Sequence, residues 1–213
     1  MPPKNLRILF IRHAQSEANT HPGMIAGRQP LTPLTDLGEE QAKRLSTRLS
    51  EYSNPAIYSS DLVRAKETAR LSLGDEMFQS VILVPELQEF TNGDWDGSSR
   101  KEIHTVEQLG IINTAGYLFT PPNGESQRMV QRRASNWLED EILYNQDFDS
   151  EEENVILVFS HGIVIKTLLH YILGFSDRFI YRFELDNTGI CEFKYTHQGW
   201  FPVTINDTRH LVK

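Results

Sequence analysis

Five side chains of this sequence could handle a phosphate together: Arg12, His13, Arg64, Glu89 and His161. Guanidinium forks neutralise an oxyanion by two-point contact, and imidazole serves as nucleophile or hydrogen-bond donor. A carboxyl group of suitable pKa can carry protons for the same reaction. Taken singly, each has a plainer explanation. Arg64 stands beside Lys66 and Glu67 and would suit a surface ion pair, while His161-Gly162 would suit any strand-to-helix turn. Their positions change that reading. Arg12-His13 follows the apolar run 8–11, Ser59 to Arg64 follows 56–58, Glu89 comes soon after 81–84, and Ser160-His161-Gly162 follows 155–159. In open α/β sheets ligands sit beyond the carboxyl ends of the strands, so four runs would deliver these groups to one edge.

The elements that must position them alternate along the chain. Residues 6–11, 55–58, 81–84 and 155–159 read as strands, and 180–185 and 190–195 read as two more. Residues 34–49, 61–73, 126–143 and 163–173 place apolar side chains at helical spacing. In the first of these, Thr35 or Asp36 would cap the helix and Leu37, Ala42, Leu45 and Leu49 would share a face. Near-continuous apolar strands between helices predict a three-layer α-β-α sandwich around a mainly parallel sheet. Residues 92–124 are poor in pattern, with several glycines and Pro121-Pro122, and predict a helical or loop excursion lying like a lid over the C-terminal strand ends. The whole chain, 1–213, is expected to form one domain.

Composition narrows the partners. With 39 % hydrophobic and 23 % charged residues the chain is ordinary for a globular domain, and its formal charge of −8 argues against nucleic acid or an anionic membrane surface. A small anionic substrate is not excluded, because a few cations focused in one cleft can outweigh an acidic exterior. No apolar run approaches a bilayer span, and the N-terminal residues show no secretory pattern. Cys191 is the only cysteine, which fits a reducing, cytoplasmic setting; it lies in an alternating stretch and reads as a packed thiol. The seven histidines are scattered without metal-ligand spacing, so neither a metal nor another cofactor is expected.

The stretch Leu9-Phe-Ile-Arg-His-Ala-Gln-Ser-Glu-Ala-Asn19 resembles the signature of the histidine phosphatase superfamily, in its phosphoglycerate mutase-like branch. The resemblance continues, in the family's order, through residues 33–42, 58–69, 87–97, 123–126 and 159–162. It implies a phosphatase in which His13 forms a phosphohistidine, Arg12, Arg64 and a protonated His161 surround the phosphoryl oxygens, and Glu89 is the general acid and base. It also implies that Gln15, Ser16, Asn19, Gly27, Gly162 and Ile163 contact substrate or phosphate. Burial of Glu89 beside Leu87 or Phe90 would have to raise its pKa for acid work at neutral pH. The implied partner is a small phosphorylated molecule, with a homodimer as a compatible assembly.

Two departures from the family pattern stand out. Ala14 replaces the usual glycine after the nucleophile, where a positive φ would strain it. Ile163 replaces a frequent second glycine and would add an apolar wall. Residues 21–30 and 92–123 are expected to choose the substrate; Arg28 and Arg100 could meet a second anionic group there, with a surface role the first expectation for each. The competing function is a mutase using the same phosphohistidine; a non-catalytic phosphate-binding scaffold is the third. The excursion of about thirty residues is short for a mutase that must exclude water.

Overall fold

A computed structural model describes residues 4–212; the one-domain expectation for 1–213 thus includes, at each end, residues outside that span. In chain order the main elements are β1 (Leu6–Arg12), α1 (Asp36–Leu49), β2 (Ala56–Ser59), α2 (Val63–Leu73), α3 (Asp75–Phe78) and β3 (Ile82–Leu83). The excursion carries α4 (Arg100–Ile103) and α5 (Val106–Ala115). It is followed by α6 (Gln127–Leu138), β4 (Asn154–Ser160), α7 (Gly162–Leu173), β5 (Ile190–Thr196) and β6 (Gly199–Asp207).

The strands form one sheet in the order β3-β2-β4-β1-β5-β6. Strands β3, β2, β4 and β1 are parallel neighbours, and β5 runs antiparallel to both β1 and β6. The sheet is therefore mainly parallel, as the apolar runs imply. Successive side chains of a strand point to opposite faces. Accordingly Ile8, Phe10, Ile156 and Val158 pack with Val130 and Leu138 of α6 and Val164 and Leu168 of α7. Leu9, Ile11, Leu157 and Phe159 pack on the other face with Leu45 and Leu49 of α1 and Ala69 of α2. Each such side chain contributes about 1.5–3 kcal/mol by leaving water. These two cores fix the helices on both faces and make the three layers.

Pairing register does the positioning. Arg12 stands opposite Ser160 in the β1–β4 pair, and Ser59 opposite Phe159 in the β2–β4 pair. Residues 13, 60 and 161 therefore leave the sheet side by side.

Several expectations are corrected. Residues 180–185 are not a strand: Asp177–Arg182 forms a short 3-10 helix. Only Ile180 and Leu185 of the run are buried, five positions apart rather than alternately, and β1 already has β4 and β5 as its two neighbours. The C-terminal edge strand β6 escaped the sequence reading because its apolar residues Phe201, Val203 and Ile205 are exposed. The expected helix 126–143 is α only to Leu138 and continues as a wider π turn, Glu139–Leu143. Cys191 is buried, and burial pushes its thiol up to about 11, which leaves it inert near neutrality. Among the described residues no helix is long and apolar enough to cross a membrane.

Helix α1 also turns a different residue inward. Leu37 is 50 % exposed, whereas Gly38 is buried. The Thr35 hydroxyl caps the helix by accepting from Gly38 N–H at 3.0 Å, and this brings Gly38 against the backbone of Gln15. A Cβ there would sit 1.9 Å from the Gln15 carbonyl oxygen, so only glycine fits. Gly38→Ala is expected to lower the unfolding free energy by about 1–3 kcal/mol, read as a shifted urea midpoint, because overpacking must displace the turn that follows His13. An unchanged midpoint would show that this close approach does not constrain the turn.

Candidate active site

The five candidate groups converge at the carboxyl ends of β1, β2 and β4. The His13 amide donates to the Ser160 carbonyl at 2.9 Å, which extends the β1–β4 pairing by one residue and sets the His13 and His161 rings 5.1 Å apart. His13 is 3 % exposed and His161 fully buried. His13 Nδ1 lies 2.7 Å from the Ala14 carbonyl oxygen. A carbonyl can only accept, so Nδ1 carries the proton and Nε2 keeps its lone pair.

Ala14 does not strain this turn. It is absent from the residues with positive φ, and its amide donates to the Thr68 hydroxyl of α2 at 2.9 Å. Thr68 in turn donates to the Arg64 carbonyl at 2.6 Å, linking the turn after His13 to the helix that carries Arg64. The expected cost of losing glycine is not incurred because the backbone is in an ordinary region.

The half-buried Arg12 and the buried Arg64 flank the histidines, and among the described residues neither forms an ion pair. Arg12 donates to the Leu185 carbonyl, while its Nε is buried without a partner. Arg64 donates to the carbonyls of Arg28 at 3.1 Å and Gln29 at 3.0 Å, and more weakly to Gly27 at 3.4 Å. Burial lowers the pKa of both, opposed mainly by the charge of Glu89. A guanidinium remains a cation through such a shift. For His13, burial and then the charges of Arg64 and Arg12 push the pKa well below the ordinary imidazole value. The same causes, burial and then Arg64, act on His161. In the phosphate-free protein these causes oppose the charged ring, and the protonated His161 that the resemblance implies would need the charge of a bound phosphate to offset them. Its Nε2 lies 2.8 Å from the Ser60 hydroxyl, which accepts from Leu62 N–H at 3.3 Å, and its buried Nδ1 has no partner.

Glu89 stands opposite, in the same cavity of about 340 Å³. Leu87 turns into the core beneath α6 and α7, whereas the Glu89 carboxylate is partly exposed and accepts from Phe90 N–H at 2.8 Å. Its main chain is clamped: Arg28 Nε donates to the Glu89 carbonyl at 3.0 Å and Arg28 also pairs with Glu125 at 2.7 Å. Arg133 pairs with Glu125 from the other side at 2.9 Å. Arg28, expected at the surface, is thus a link between the loop before α1 and the segment bearing Glu89. Arg100 is exposed, as expected.

The remaining candidates divide. Ser16, Asn19, Gly27 and Ile163 line the cavity. The Asn19 side-chain oxygen accepts from Ser16 N–H at 2.9 Å and from Asn187 at 3.3 Å, which leaves its NH2 as a donor. Gly27 has φ +55 and lies against Asp96, whose carboxylate also accepts from Arg28 N–H at 3.2 Å and the Thr91 hydroxyl at 2.7 Å. Gly162 begins α7, whose N-terminal N–H groups favour an anion; a Cβ on it would lie 3.6 Å from Arg12 Nε. Gln15 does not line the cavity. Its side chain accepts from the Thr35 hydroxyl at 2.8 Å, so it braces α1. Sequence reasoning missed Ser60 and Asn187, although Ser60 lies inside the family-like stretch 58–69. Asn187 donates to the His13 carbonyl at 3.0 Å from a loop with no apolar pattern to flag it.

A mainly parallel α/β sheet whose strand ends hold two arginines, two buried histidines and a carboxylate is the site of a phosphate-handling enzyme. The family model described as "Histidine phosphatase superfamily (branch 1)" matches residues 8–208, and the chain belongs to that family. It is similar to the "Adenosylcobalamin/alpha-ribazole phosphatase" of Escherichia coli K12, with 31 % identity over 85 % of this chain and 86 % of that protein. It is also similar to the "Probable phosphoglycerate mutase GpmB" of Escherichia fergusonii, with 28 % identity over 97 % of this chain and 95 % of the other. Among solved structures, Bacillus stearothermophilus YhfR superposes with a TM-score of 0.83 at 26 % identity, over 97 % of this chain and all of that one (100 %). The enzyme class is that of the metal-independent phosphoric monoester hydrolases.

The depressed histidine pKa values carry a stability consequence. In the unfolded chain both rings titrate near ~6.5. As pH falls below that value the unfolded state binds protons that the folded state refuses, so stability drops, by up to about 1.4 kcal/mol per pH unit for each ring. Above ~6.5 neither contributes. Urea unfolding between about pH 5.5 and 6.5, in buffer free of phosphate and sulfate, is expected to show this slope, and His13→Gln to reduce it by about the share of one proton. An identical slope in the variant would mean that folded His13 is protonated.

Proposed function

We propose that the protein hydrolyses a phosphate monoester through a covalent phosphohistidine on His13. The observation that carries the reading is the pair of guanidiniums, half-buried Arg12 and buried Arg64, held by carbonyls instead of carboxylates around an imidazole with a free Nε2. Such a cluster is costly unless an anion completes it.

In the first step the Nε2 lone pair attacks phosphorus in line and the bond to the leaving oxygen breaks. Arg12, Arg64, the α7 N-terminus at Gly162 and Ile163, and the Asn19 NH2 hold the non-bridging oxygens, so catalysis is chiefly positioning and electrostatics. With Ser60 donating its hydroxyl proton to Nε2 of His161, the Nδ1–H of that neutral ring donates to the same oxygens. The Glu89 carboxyl gives its proton to the departing oxygen. In the second step Glu89 takes a proton from water, the water oxygen attacks phosphorus, and the P–N bond breaks to release phosphate and neutral His13. The reading is of one domain in the cytoplasm, acting on a small phosphorylated molecule, with no nucleic-acid partner.

A mutase is the second reading, favoured by the mutase name among the relatives. Transfer to a second hydroxyl needs water kept out of the phosphoenzyme. The partly exposed Glu89 and the half-open helix α5, with Leu109 38 % exposed, favour water as acceptor.

His13→Ala is expected to lower turnover of an alkyl phosphate by about three orders of magnitude or more and to abolish acid-labile phosphoenzyme. Glu89→Gln should slow alkyl esters by about a hundredfold and aryl esters less, since a phenolate leaves without a proton. Phosphate release from 3-phosphoglycerate outpaced by its isomerisation would favour the mutase.

A further inference from the structure

The cavity lining is chemically mixed: beside the arginines and histidines it carries the apolar side chains of Phe90, Trp95, Leu109, Ile112, Phe119 and Ile163. Trp95 and Phe119 stack with ring centroids 5.7 Å apart and planes inclined by 24°, giving a broad flat surface. Leu109 and Ile112 are three residues apart on α5 and share the face that looks into the cavity.

This wall is built, not a chance of loose loops. Asp94 N–H donates to the Pro122 carbonyl at 3.0 Å, and the Asn123 amide donates to the Asp94 carboxylate at 3.0 Å. Gly93 has φ +58, and a Cβ on it would lie 2.1 Å from the Pro122 oxygen, so the Trp95 and Phe119 segments meet at a contact only glycine allows. The latch fixes the two rings relative to one another.

The lining offers little to a second anion. Arg100 is exposed, and its guanidinium donates to the carbonyls of Pro22 and Met24, both at 3.2 Å. His104 is held below its ordinary pKa by burial and then by Arg100, so it is neutral near pH ~7. Glu89 is the one acidic side chain lining the cavity, and it brings no positive charge for an anionic leaving group. Arg28 is committed to Glu125 and the Glu89 carbonyl.

We propose that the site is built for a phosphate monoester whose alcohol carries an aromatic or similarly flat apolar group and no second anion, the group lying against Trp95 and Phe119. The proposal rests on the His13 phosphatase reading for its reaction, but its recognition half can be measured without turnover. Calorimetry would compare two non-hydrolysable phosphonates of equal chain length, one ending in phenyl and one in carboxylate. The phenyl compound is expected to bind about tenfold more tightly or better, because burying a ring against this wall removes apolar surface from water. Trp95→Ala should reduce that ratio about tenfold. Its binding of inorganic phosphate checks that the phosphate site still folds, and Leu109→Ala, on a half-exposed helix, provides a milder variant expected to reduce the ratio about threefold. Equal affinities, a preference for the carboxylate, or a ratio unmoved in both variants overturns the proposal. A clear phenyl preference without turnover of phenylalkyl phosphates would uphold the recognition half and refute the phosphatase reading instead.

Discussion

Two guanidiniums in one site, half-buried Arg12 and buried Arg64, without a carboxylate partner among the described residues, are the constraint on which the site depends. Like charges in a poorly hydrated setting repel and lose solvation together. Here the fold offsets that cost with backbone carbonyls: Leu185 for Arg12, and residues 27–29 for Arg64. Carbonyls solvate a cation without cancelling its charge. The net positive field therefore survives and acts on its neighbours. Burial first, and then this field, push the pKa values of His13 and His161 down, and the buried Arg12 Nε and His161 Nδ1 have no protein partner.

His161 sits in the same field. A cationic imidazole would add a third positive charge to the cluster, and burial and then Arg64 oppose it in the phosphate-free protein. A neutral ring can still donate one hydrogen bond if its other nitrogen is occupied, and Ser60 occupies it. The two histidines thus have opposite arrangements. In His13 the proton is on Nδ1, against the Ala14 carbonyl, and the lone pair is free; in His161 the contact with Ser60 at Nε2 leaves Nδ1 facing the site.

Much of this was legible in the sequence, for identifiable reasons. Ile8 to Ile11 and Val155 to Phe159 are central parallel strands buried on both faces, so continuous apolar runs marked them, and the residues that follow must emerge at one edge. The less regular parts were not legible. The exposed edge strand β6 has no inner face to impose a pattern, and the apolar residues of 177–185 are spaced for a tight helix followed by a loop. Gly38 was outvoted by Leu37 because hydrophobic periodicity cannot foresee a backbone approach. Ala14 was expected to be strained because a glycine pattern does not reveal its φ, and Asn187 was invisible because it acts from a loop through a single amide contact.

The central claim is that two displacements occur at phosphorus, the first by His13 and the second by water. Stereochemistry tests it directly. Hydrolysis in isotopically labelled water of a thiophosphate ester made chiral at phosphorus by oxygen isotopes would yield product whose configuration can be read by phosphorus NMR. Two in-line displacements predict overall retention. Inversion would mean that water attacks the ester directly, and His13 would then be no nucleophile.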